Sequence, residues 1–175
     1  MSAPRTPLWV QRGFLPLLGF IAIYLALLPL APGGGAPMPD FLYCLVFAFV
    51  IRAPRAAPVL VVLTLGLFAD LMLARPAGLG ALGLLGVSEL LRGPNGTPRD
   101  WSFAREWLFS VGAFALMIAA MTAILALSFA EPPSFAALRG HVIATALAYP
   151  PVAALVSWLL GGRRSGNPAR AGRLS

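Results

Sequence analysis

An ionisable side chain inside an apolar run is where a chain like this one would do chemistry, because a charge at that depth is costly without a partner or a task. Asp40, Asp70, Glu89 and His141 are the residues to weigh first. Asp40 opens an apolar run, where a carboxylate accepts backbone N–H bonds and meets the positive end of a helix dipole. It reads as a cap. Glu89 stands three residues before Arg92, the spacing of an intrahelical ion pair. Asp70 is flanked by Phe68, Ala69, Leu71 and Met72, one turn before the end of its run, where the dipole disfavours an anion. Two readings stay open for it: a local pair with Arg75, or a specific contact with another helix or a partner.

Catalysis finds little support. His141 is the single histidine, Cys44 the single cysteine, and no serine stands in a recognisable nucleophile setting with a base. No catalytic residue, metal site or cofactor is therefore expected. Gly78, Gly80 and Gly83 match the spacing of a dinucleotide fingerprint, but that motif needs a preceding strand and a following soluble helix. Gly80, Gly83 and Gly86 instead recur every three residues, which predicts a strip of small residues where another backbone approaches closely. Asn95-Gly96-Thr97 has the form of a glycosylation acceptor, yet it is followed by Pro98 and falls on the expected cytoplasmic side.

The elements that position these residues follow from composition. Of 175 residues, 59% are hydrophobic and 11% charged, with a mean hydropathy of +0.83; soluble domains are about 25% charged. A bilayer is the solvent that fits. Apolar runs separated by Arg, Pro and Gly clusters predict six helices, roughly at 13–31, 39–52, 56–73, 77–91, 104–129 and 138–160. The expectation is an all-α bundle of six transmembrane helices over residues 1–162, followed by a basic, disordered cytoplasmic tail at 163–175. The first run resembles a signal peptide but leads into more membrane, so it reads as a retained helix. Pro16, Pro29 and Tyr149-Pro150-Pro151 are expected to bend helices one and six.

All 13 basic residues are arginines and the net charge is +7. They lie mainly in short segments between apolar runs, which argues for orienting a membrane protein and against nucleic-acid binding. The segment 77–91 would rise only about 22 Å, against a hydrocarbon core of about 30 Å. Charge parity bears on whether it crosses. With six crossings and both termini cytoplasmic, eleven arginines fall inside and only Arg75 and Arg139 outside; without the fourth crossing the split becomes five and eight. The positive-inside rule prefers six. Trp9, Trp101, Trp107 and Trp158 then lie near the cytoplasmic interface, which suits an amphipathic indole.

The stretch from Met38 to Arg92 resembles the rod shape-determining protein MreD family. The residues that carry the resemblance are Pro39-Asp40-Phe41-Leu42, the Arg52-Ala53-Pro54 turn, Gly66-Leu67-Phe68-Ala69-Asp70, and Pro76-Ala77-Gly78-Leu79. Arg75 occupies a place where that family often carries a small residue. The resemblance implies a non-enzymatic scaffold of the bacterial inner membrane, within the cell-elongation machinery for peptidoglycan synthesis. It would bind the bitopic protein MreC and, through it, couple the MreB filament to the peptidoglycan polymerase and transpeptidase. Asp40, Arg52, Pro54, Asp70, Pro76 and Gly78 are the candidate motif or partner-contact residues. The alternative is a small-molecule-binding subunit similar to those of energy-coupling-factor transporters. Such a pocket needs convergent polar groups at the outer face, where Asp40, Asp70, Arg75, Glu131, Arg139 and His141 are available.

Overall fold

With no water in a bilayer core, backbone N–H and C=O groups must be satisfied within the chain, and a helix does this segment by segment. The computed structural model describes residues 8–28, 37–92, 101–128 and 133–160. They form α1 (Leu8–Leu27), α2 (Phe41–Arg52), α3 (Val59–Met72), α4 (Leu79–Leu91), α5 (Phe103–Leu127) and α6 (Phe135–Leu159), with one 3-10 turn at Pro54–Ala56. No strand occurs among the described residues. The segment around Gly93-Pro94-Asn95-Gly96, Glu131 and the tail at 163–175 lie outside them.

The helix ends obey local rules. Asp40 caps α2 by accepting the Tyr43 N–H at 3.0 Å. Ala53 leaves the helical region because Pro54 follows it. At the end of α3, Ala74 adopts a left-handed φ of 51°, and the Arg75 N–H returns to the Asp70 carbonyl at 2.9 Å, a Schellman-type closure. Gly78, with φ of 88°, then starts α4. α1 begins at Leu8, five residues before the expected start. The apolar run was the wrong marker there, because Gln11 and Arg12 are good helix formers that extend the helix past it. Both α1 and α6 run without interruption through Pro16 and through Pro150-Pro151.

α2 is the axis of the bundle. Every residue from Leu42 to Ile51 is buried, so its all-round apolar sequence reads as a core helix. It packs against α1, α4 and α6, while α3 pairs with α4 and with α1. Tyr43 of α2 stacks on Phe114 of α5 with ring centroids 4.3 Å apart and donates its hydroxyl proton to the Ser110 carbonyl at 3.1 Å. The peripheral helices turn apolar side chains outward, among them Leu60, Leu82, Leu116 and Leu147. That surface suits lipid rather than water.

α1, α5 and α6 are long and apolar enough to cross a membrane. The other three are shorter: 12, 14 and 13 residues. At 1.5 Å per residue they reach about 18 to 21 Å.

Candidate functional site

The polar side chains gather in two layers, one at each end of α2. At the Arg52 end, α5 brings the buried Glu106 beside the part-buried Arg52 as an ion pair. Glu106 is only 5% exposed and also accepts the Tyr149 hydroxyl of α6 at 2.6 Å. Arg52 Nε donates to Ser157 Oγ at 2.9 Å. Three helices are thus tied by one carboxylate and one guanidinium. Nearby, Arg92 pairs with Glu89 at 2.9 Å, at the i,i+3 spacing the sequence suggests, and also holds the carbonyls of Pro54 at 2.7 Å and Ala57 at 2.9 Å. Arg12 Nε reaches the Arg55 carbonyl at 3.3 Å.

Sequence reasoning missed Glu106, Tyr149 and Ser157 as members of a site. Glu106 stands between Arg105 and Trp107 at the start of a run, so it looks like an interfacial residue. A signal did exist: with six crossings Arg52 and Glu106 fall on the same side of the membrane, and a charge there needs an opposite partner.

At the Asp70 end, the local pair considered for Asp70 does not form. Its carboxylate, 1% exposed, accepts the N–H groups of Gly78 and Ala81, both at 3.0 Å. An anion disfavoured by the C-terminal end of its own helix is thereby placed against the N-terminus of the next, where the exposed donors and the dipole favour it. Arg75 instead pairs with Asp40 at 3.4 Å. The Asp40 N–H donates to Thr145 Oγ1 of α6 at 3.0 Å. His141 Nδ1 lies 2.6 Å from the Met38 carbonyl, and since a carbonyl only accepts, the ring proton sits on Nδ1. Pro76 belongs to the tight turn between α3 and α4, and Pro54 opens the 3-10 turn after α2.

The glycine strip on α4 needs correction. A Cβ on Gly80 would fall 2.2 Å from Asp70 Oδ1, and one on Gly83 would fall 2.9 Å from Met117 Cγ, but one on Gly86 would meet nothing within 4 Å. A three-residue step turns a helix by about 300°, so three glycines in series drift off one face. Another backbone does come close at Gly66 of α3, where a Cβ would lie 2.8 Å from Ala81 Cα.

Between α4, α5 and α6 at the Asp70 end lies a cavity of about 250 Å³. Leu84, Met117, Met121 and Leu125 form its apolar wall, and Asp40, Arg75 and His141 stand at its rim. Among the described residues no group of three or more His, Cys, Asp or Glu stands together to hold a metal ion. Comparison with protein families, curated proteins and solved structures finds no match to this chain. Fold and composition define an all-helical protein with three helices capable of crossing a membrane.

Proposed function

We propose that this chain is a six-crossing protein of the bacterial inner membrane with both termini cytoplasmic. Within it the chain serves as a non-enzymatic scaffold subunit of the MreD type, binding an MreC-like bitopic partner. The observation that carries the reading is where the charges go. Arg52, Glu106, Arg92, Asp70 and Asp40 all hold the protein's own helices and turns, which builds a fixed surface rather than a reactive centre. The motif residues that resemble the family fall in that framework: Arg52 and Pro54 at one end, Asp40, Asp70, Pro76 and Gly78 at the other. The sorting of arginines supports the orientation. Arg12, Arg52, Arg55, Arg92 and Arg105 belong to the Arg52 end, while Arg75 and Arg139 belong to the Asp70 end, as the positive-inside rule requires of a cytoplasmic Arg52 end.

The partner is tested by purifying the chain from its native membrane in mild detergent. Recovery of a single-pass protein with a periplasmic domain is expected. A second reading, the small-molecule-binding transporter subunit, draws on the cavity at the Asp70 end, and recovery of an ATPase pair would favour it over the scaffold. Topology has its own test, in single cysteines at positions 35, 77, 97 and 170 of a chain lacking Cys44. An impermeant thiol reagent is expected to label the first two in intact cells, and labelling at 170 would sink the six-crossing arrangement.

A further inference from the structure

The cavity at the Asp70 end has an apolar body and a rim whose hydrogen-bonding capacity is unevenly used. Asp70 accepts two backbone N–H groups, and Asp40 accepts the Tyr43 N–H at one oxygen and Arg75 at the other. His141 Nδ1 is tied to Met38. Both Asp70 bonds fall on Oδ2. The larger surplus is at Arg75: a guanidinium carries five N–H donors in a planar fork, and among the described residues it makes one side-chain bond, a long one of 3.4 Å to Asp40. A permanent cation with unused donors beside an apolar cavity matches an acceptor-rich anion attached to a hydrocarbon.

Depth says where that molecule comes from. Gly83 packs on Met117, which levels α4 with α5 at that point. From there α5 continues ten residues to Leu127, about 15 Å, while α4 ends four residues away at Leu79, about 6 Å. The rim is therefore recessed by about 9 Å below the end of α5. A lipid of the surrounding leaflet meets it without leaving the membrane. The wall suits an alkyl chain, since Met117 and Met121 are flexible and adapt to an irregular occupant.

We propose that this cavity is a binding site for an anionic phospholipid, which lays one acyl chain between Leu84 of α4 and Met121 of α5 and sets its phosphate on Arg75. The site is independent of the scaffold reading, because it needs no protein partner.

The test uses the full chain purified in mild detergent and native mass spectrometry with phosphatidylglycerol and diacylglycerol of matched chain length. Phosphatidylglycerol is expected to be retained about tenfold more strongly, the scale of one charge-assisted pair. Arg75→Gln is expected to bring it down to the diacylglycerol level, Arg75→Lys to keep most of the preference, and Met121→Trp to weaken both lipids by filling the cavity. Asp40→Asn frees Arg75 from its competitor and is expected to strengthen phosphatidylglycerol binding, so the idea stays open to refutation if Arg75→Gln folds poorly. Equal retention of the two lipids by wild type, or weaker binding by Asp40→Asn, overturns the proposal. Photo-methionine, a diazirine close in size and shape to methionine, incorporated in place of methionine, irradiated in native membranes and mapped at Met117 and Met121, adds a second reading. A lipid adduct supports the site; an adduct with a polypeptide assigns the cavity to a partner helix and overturns it.

Discussion

Trp107 of α5 donates its indole N–H, at 2.9 Å, to the Ala146 carbonyl of α6. In a helix without proline that carbonyl would receive the N–H four residues on, but that residue is Pro150, which has none. The indole fills a vacancy that a helix in lipid cannot leave to water. Trp107→Phe is therefore expected to cost about 1 to 3 kcal/mol by orphaning an acceptor. In a Pro150→Ala background the helix supplies its own donor, and the same change is expected to cost little. Thermal unfolding of the four variants in detergent measures this, and an equal cost in both backgrounds would refute the account.

The Arg52 and Glu106 pair makes a sharper prediction. Removing one member of a buried pair leaves an uncompensated charge and typically costs about 3 to 5 kcal/mol. Glu106→Ala is expected in that range, with Tyr149 and Arg52 both losing an acceptor. Glu106→Gln keeps acceptors for both and is expected to cost clearly less. The double variant Arg52→Leu with Glu106→Leu is expected to be less damaging than the two single changes added together. Strict additivity would mean that the two side chains do not interact.

Glycines on α3 and α4 separate by neighbour rather than by spacing. Gly80→Ala drives a Cβ into an Asp70 carboxylate that two backbone N–H groups hold in place. Gly66→Ala presses on the Ala81 backbone. Both are expected to lower folded yield. Gly86→Ala meets open space and is expected to stabilise by up to about 1 kcal/mol through helix propensity. If all three behave alike in a detergent melt, the packing described for α3 and α4 is wrong.

Ala74 carries the one positive φ among the described non-glycine residues. A left-handed conformation costs an L-residue with a Cβ roughly 1 to 2 kcal/mol. Ala74→Gly removes that strain but adds freedom to the unfolded chain, so a net gain of about 1 kcal/mol or slightly less is expected. A lower melting temperature for Ala74→Gly would contradict the turn geometry.

Asp70→Asn keeps one carbonyl oxygen to accept from Gly78 and Ala81 but loses the charge that favours the start of α4. A loss of about 1 kcal/mol is expected, against about 2 to 3 kcal/mol for Asp70→Ala, which orphans two N–H groups. The order of the two melts is the check: equal effects would separate the carboxylate from the cap.

Much of this molecule is written locally. Apolar runs broken by Pro, Gly and Arg determine six helices, because a lipid solvent leaves few other ways to satisfy the backbone. The Asp40 cap, the Arg52-Ala53-Pro54 exit from α2 and the Glu89 and Arg92 pair depend on residues within one turn of each other, so spacing alone reveals them. Only the tertiary structure decides what happens across longer distances. Arg52 and Glu106 are 54 residues apart, and nothing in either segment names the other. Asp70 looked toward Arg75 by proximity, yet the Schellman-type turn at Ala74 sends the chain back so that the amides of Gly78 and Ala81 reach its carboxylate instead. Gly66 and Gly86 have the same lack of a side chain, but only Gly66 faces a neighbouring backbone. Clearance has meaning only where another element arrives, and that is set by how whole helices pack, not by the residues on either side.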